Sequence, residues 1–243
     1  VDAVLLAWQP GLEAGNAVAD ILSGKVNPSG KLATTFPVIY DDDITAKNFP
    51  GKEFPEKKTT GMMGMPAVPA EVVYEEGIYV GYRYYNTFKV QPAYAFGYGL
   101  SYTNFSYSNI KLSSPVFNKP VTLTIDITNT GKAAGKEAVQ LYITAPAGTL
   151  QKPSEELKAF AKTKLLQPGE KQTLSFTIHK DALSSFDTDK TSWVADAGKY
   201  TVKIGASSLD IKQTASFSLP KSIVTEKCNK VLVPQAVINE INK

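Results

Sequence analysis

Three groups of carboxylates stand where chemistry is conceivable: Glu13 in "WQPGLEAGNAV", the run Asp41-Asp42-Asp43, and the pair Glu75-Glu76. Glu13 follows an apolar run and opens a helical pattern. Ligands of open α/β sheets gather at the carboxyl ends of strands, so Gln9 to Glu13 lie on the edge where a substrate would sit. The other reading is that Glu13 complements the positive end of the helix dipole. Asp41 to Asp43 read as a solvated turn that has the oxygens for a hard cation but no ligand geometry. Glu75 and Glu76 precede an aromatic stretch, where one of them is expected to pair with Arg83 or a lysine. All three methionines, Met62, Met63 and Met65, fall in "GMMGMP". Their flexible, polarizable side chains suit the rim of a sugar pocket, or equally filler between domains. The substrate-binding candidates are therefore Gln9, Glu13, Met62, Met63 and Met65.

Other chemistries are short of parts. There is one histidine, His179, and one cysteine, Cys228. They cannot assemble a zinc site of the usual kind, and no intrachain disulfide is available. His179 is too isolated for a Ser-His-Asp triad and reads as a surface residue at a strand end. The glycines of "GNAVADILSGKVNPSGK" lack the dinucleotide and Walker spacings. No cofactor and no metal are expected. "NFS" at Asn104 fits a glycosylation acceptor, a match that chance also produces.

The elements that must position these residues fall into four regions. Residues 1–37 read strand, helix, strand. Val1–Ala7 is an apolar run, "PGLEAGNAVADILSG" sets Leu12, Val18, Ile21 and Leu22 on one helical face, and "GKLATTFP" is a second short strand. Glu13 is expected in the first helical turn, and Gly24 is placed to end the helix. This unit belongs to a parallel sheet buried on both faces, which it cannot cover by itself. It is thus an α/β remnant, and the chain is expected to be the back end of something larger. Residues 38–95 are rich in turn residues and read as a long loop, then an aromatic arm, "YEEGIYVGYRYYNTF". Residues 96–219 alternate strand-wise in "VTLTIDITNTG", "KEAVQLYITAP", "KQTLSFTIH", "KYTVKIGAS" and "TASFSL". That spacing predicts an all-β sandwich of the immunoglobulin or fibronectin type III kind, of about seven strands over 98–219. Residues 220–243 read as a C-terminal extension packing elsewhere.

Composition narrows the classes further. The 243 residues are 43% hydrophobic and 20% charged, with a net charge of +3 and no basic stripe. Nucleic acid is not an expected partner. No apolar run approaches the ~18 residues of a membrane span, and the first 22 residues lack the features of a signal peptide.

"DAVLLAWQPGLEAGNAVADILSGKVNPSGKLATTFP" resembles the end of the α/β sandwich domain in family 3 glycoside hydrolases. "YEEGIYVGYRYYNT", "YAFGYGLSYTNFSYS" and "ITNTGKAAGKEAVQLYITAP" resemble that family's connecting segment and fibronectin type III-like domain. "ELKAFAKTKLLQPGEKQTLSFTI" and "WVADAGKYTVKIGASS" continue the match in the family's order, over nearly the whole chain.

The resemblance implies a retaining, exo-acting β-glycosidase of the β-glucosidase or β-xylosidase type. Retention needs two carboxyl groups about 5–5.5 Å apart. In the family they are an Asp on an N-terminal barrel and usually a Glu on the sandwich domain, and neither motif occurs in this sequence. No catalytic residue is carried over, and the chain alone is expected to be inactive. Its implied partner is a β-linked glucoside or oligosaccharide bound through other domains. A homodimer stays open, and the resemblance favours a periplasmic or secreted location. Two further readings stand beside it: a free-standing fibronectin-like binding or adhesion module, and half of a nucleotide-binding α/β domain, which the glycine spacing disfavours.

Overall fold

A computed structural model describes residues 3–148, 150–231, 233–234 and 236–243. Helix α1 spans Ala14–Leu22 and α2 spans Tyr82–Phe88. The strands are β1 (Lys52–Glu53), β2 (Thr59–Thr60), β3 (Pro66–Ala67), β4 (Ala70–Glu71), β5 (Phe105–Leu112), β6 (Val121–Asn129), β7 (Ala138–Thr144), β8 (Glu156–Lys162), β9 (Lys171–Ile178), β10 (Ser185–Asp187), β11 (Ser192–Ala195), β12 (Gly198–Gly205), β13 (Ile211–Leu219) and β14 (Ile223–Lys227).

Seven strands make the sandwich. One sheet has the order β5-β6-β9 and the other β13-β12-β7-β8, and every pairing is antiparallel. The β-branched run of β6 explains its central place, because such side chains fit a pleated, packed surface. Val121, Leu123, Ile125 and Ile127 are fully buried and meet Val139, Leu141, Val202 and Ile204 of the facing sheet in one core. Each such side chain contributes roughly 1.5–3 kcal/mol of burial. Tyr200 stacks on Phe217 with ring centres 5.6 Å apart. His179 follows β9 directly and is exposed, and Asn104 is exposed just before β5. A small third sheet, β10-β11-β14, takes in the start of the C-terminal extension.

The first 37 residues differ from expectation. The helix forms, and Gly24, with φ of 77°, ends it in the left-handed conformation that favours glycine. Glu13 is the N-cap residue rather than part of the first turn. The strand expected at Val1–Ala7 is not formed by residues 3–7, and Val1 and Asp2 lie outside the described residues. The second expected strand reduces to a single bridge, Phe36 to Tyr94. The reason is physical: a strand exists only through its ladder, and among the described residues no strand pairs with residues 3–7 while Phe36 bridges only to Tyr94. Val4, Leu6, Trp8, Leu12 and Leu22 are accordingly exposed, and α1 buries none of its residues.

Residues 38–95 are more ordered than a loop. Strands β1 and β4 pair outside β2 and β3, so residues 52–71 form a nested hairpin. The aromatic arm becomes α2 and docks on the sandwich. Tyr79 and Tyr85 are buried, Tyr82 stacks on Phe96 at 4.7 Å, and the Tyr82 hydroxyl accepts the Leu157 N–H at 2.7 Å.

Candidate functional site

The substrate-binding candidates separate into two places. Gln9 lies in irregular backbone just after Trp8, whose φ is 51°. The Glu13 carboxylate accepts the Asn16 side-chain amide at 2.6 Å and caps no backbone N–H. Both residues are exposed. The three methionines gather at the tip of the nested hairpin. Gly61 N–H donates to the Met65 carbonyl at 2.7 Å, and Met63 and Gly64 both take positive φ. This turn drives Met62, Met63 and Met65 outward, at 85%, 88% and 61% exposure. Among the described residues no hydrogen bond joins Gln9 or Glu13 to the hairpin.

The remaining acidic candidates have local partners. The Asp42 carboxylate accepts Ile39 N–H at 3.2 Å, and that of Asp43 accepts the N–H and hydroxyl of Thr45. Glu75 pairs with Lys47 at 2.7 Å, while Arg83 pairs with Glu156 at 3.2 Å. Glu76 is buried, with one carboxylate oxygen lacking a hydrogen-bond partner. Among the described residues no three His, Cys, Asp or Glu side chains converge as a metal site.

Buried carboxylates elsewhere are spent on structure. Asp126 accepts from Asn109, Thr173 and Lys171, and these bonds, that of Asn109 foremost, hold its carboxyl down at about 2. Asp187 is held below its ordinary value by Lys190, whose ammonium and backbone N–H both donate to it. A glycosidase general acid needs the opposite displacement, upward, so that it keeps its proton near neutral pH.

Sequence reasoning missed the polar seam between the first 37 residues and the sandwich. Lys31 pairs with the Glu137 carboxylate at 3.3 Å and also donates to the Gly99 carbonyl. Glu137 is buried, accepts the Tyr107 hydroxyl at 2.8 Å and donates its N–H to the Thr163 hydroxyl. Burial and the Glu137 charge together push the Tyr107 phenol far above its ordinary value. Asn27 donates to the Ala134 carbonyl and accepts from Ser101 and the Tyr102 N–H. A Cβ on Gly99 would sit 2.3 Å from the Gly30 carbonyl oxygen, so the two backbones meet closely only because position 99 is glycine. The one available signal was "NPSGK", polar and turn-like inside an apolar region.

No helix among the described residues is long and apolar enough to cross a membrane. Residues 1–82 match the model of the glycosyl hydrolase family 3 C-terminal domain, and residues 137–208 match that of a fibronectin type III-like domain. The thermostable β-glucosidase B of Acetivibrio thermocellus is 38% identical over 229 residues, covering 93% of this chain and 28% of that protein. The β-glucosidase BoGH3A of Bacteroides ovatus is 41% identical over 219 residues, covering 89% of this chain and 28% of that protein. The structure of β-glucosidase 3B from Thermotoga neapolitana in complex with α-D-glucose superposes with a TM-score of 0.82 at 48% identity, over 93% of this chain and 29% of that one. The chain thus spans under a third of these relatives, and its residues 1–82 are those of a glycosyl hydrolase family 3 C-terminal domain.

Proposed function

We propose that this chain is the non-catalytic C-terminal part of a retaining, exo-acting β-glucosidase that releases terminal β-D-glucosyl residues. The catalytic carboxyl pair lies on segments outside this sequence, and the chain by itself turns over no glycoside. Its work is mechanical: the fibronectin type III-like sandwich and its aromatic arm hold the end of the α/β domain in place. The observation that carries this reading is the seam at Lys31–Glu137, because it fixes the segment resembling the α/β domain to the sandwich through buried polar contacts. In the intact enzyme, residues 3–7 and 30–37 add to a parallel sheet. Gln9, Glu13 and the Met62–Met65 tip stand at the rim of the sugar pocket. The exposed apolar residues before Gly24 support this over a free-standing module, which would present them to water.

The test is turnover of an aryl β-glucoside by this chain and by any longer reading frame containing it. Activity is expected only in the longer protein. There, replacing the three methionines by serine should raise KM and leave kcat within about twofold, as for lost uniform binding. Turnover by the isolated chain that vanishes on one Asp or Glu substitution within it would overturn the proposal.

A further inference from the structure

The nested hairpin is fastened to the molecule through its stem. Among the described residues no hydrogen bond or ion pair leads from residues 52–71 to the sandwich or to either helix. The two sides of the stem hold each other: Lys47 pairs with Glu75 at 2.7 Å, and the Asn48 amide donates to the Val73 carbonyl at 3.0 Å. Beyond the stem, the chain is docked on the sandwich from the buried Tyr79 onward. Between the two lies Gly77, whose φ of 53° falls in the left-handed region that favours glycine and makes it a natural pivot.

Residues 240–243 close over that pivot. The Ile241 N–H donates to the Glu75 carbonyl at 2.8 Å. A Cβ on Gly77 would lie 2.6 Å from a Glu240 carboxylate oxygen, so the closing segment passes directly over the glycine. Gln151, in the loop between β7 and β8, joins the pieces. Its Oε1 accepts the Tyr79 hydroxyl at 3.0 Å and the Lys243 N–H at 3.1 Å, and its Nε2 donates to the Asn242 side-chain oxygen at 2.7 Å. One side-chain amide thus ties the aromatic arm and residues 242–243 to a loop of the sandwich.

We propose that residues 240–243 are a latch over Gly77, secured by Gln151, that holds the hairpin stem against the sandwich and so positions the Met62–Met65 tip. Hydrogen bonds open to water are individually weak. The latch can therefore release locally while the sandwich, held by its buried core, stays folded. Gln151 is a positioning residue, acting on the tip through the stem. The latch itself does not depend on the hydrolase reading. Its effect on substrate recognition rests on the reading of the methionine tip as the rim of the sugar pocket.

The experiment has two arms. Nitrogen-15 relaxation of the full 243-residue chain compares the parent with Gln151→Ala and with Ile241→Pro, which removes the N–H donated to Glu75. Amide order parameters over residues 72–77 should fall from the rigid range of about 0.85 to below about 0.6 in both variants, while those of β6 and β12 stay unchanged. Gln151→Glu should restore them, because its carboxylate accepts from Tyr79, from Lys243 and from the Asn242 amide turned over. Order parameters already low in the parent, or unmoved by either substitution, would overturn the latch. The second arm uses a longer reading frame active on an aryl β-glucoside. There Gln151→Ala should raise KM about threefold with kcat unchanged, and Gln151→Glu should match the parent. A loosened stem with an unchanged KM would overturn the role of the tip in substrate recognition and leave the latch standing.

Discussion

Lys31 and Glu137, 106 positions apart in the chain, meet as an ion pair at 3.3 Å with only 14% and 7% of their side chains exposed. Removing one member of a buried pair strands the other's charge, at a cost of about 3–5 kcal/mol. Lys31→Ala should therefore lower stability in chemical denaturation by about 3 kcal/mol. The Lys31→Met, Glu137→Gln double variant should lose less than the sum of its single substitutions. A loss below about 0.5 kcal/mol would place the pair with ordinary surface ion pairs.

Asn129 is fully buried and uses its whole amide. It donates to the Ala133 and Leu166 carbonyls and accepts from the Thr103 hydroxyl and the Gly131 N–H. Asn129→Ala should cost about 3 kcal/mol or more, since each stranded buried group carries a penalty of about 1–3 kcal/mol. A urea midpoint equal to that of the parent chain would refute this.

Asp126 gives the sandwich an acid-side dependence. Its carboxyl sits at about 2, against an ordinary value of 3.8. A depressed folded value means that the contribution is complete above the unfolded value and is lost as pH falls toward the folded one. Stability from this group should therefore hold above about pH 5 and fall between about pH 4 and 2. Asp126→Asn should flatten that limb, as measured by unfolding across the same range. An unchanged slope would mean that other carboxyls control it.

Exposed apolar residues ahead of Gly24 should drive association, whereas Asn27 and Lys31 belong to the sandwich. Chains beginning at Val1, Lys25 and Val38 should therefore behave differently in light scattering and unfolding. The Lys25 chain should be the most monodisperse and the Val38 chain the least stable, because it has lost the seam. If the Val1 chain is the best-behaved monomer, the apolar surface is not a docking face.

The methionine tip should be neutral for the fold. Met62, Met63 and Met65 are exposed, so replacing all three by serine should change stability by no more than about 0.5 kcal/mol. A larger loss in thermal unfolding would show that the tip packs against the chain itself.

The alternation of apolar residues in "VTLTIDITNTG", "KEAVQLYITAP", "KQTLSFTIH", "KYTVKIGAS" and "TASFSL" located five of the seven sandwich strands, β6, β7, β9, β12 and β13, because a half-buried strand writes its period into its own residues. Helix α1 and its end at Gly24 were legible for the same local reason. The strands expected around Val4 and Phe36 were not settled by their own residues, since a buried strand is defined by neighbours that the described residues do not supply. The pairings of Lys31 with Glu137 and of Asn86 with Glu155 were invisible in the sequence. Each joins residues about 70 or more positions apart, and nothing in a charged residue's neighbourhood says which distant partner will share its burial. Only the folded chain brings them together, because the low-dielectric seam that makes each pair necessary is created by the packing itself.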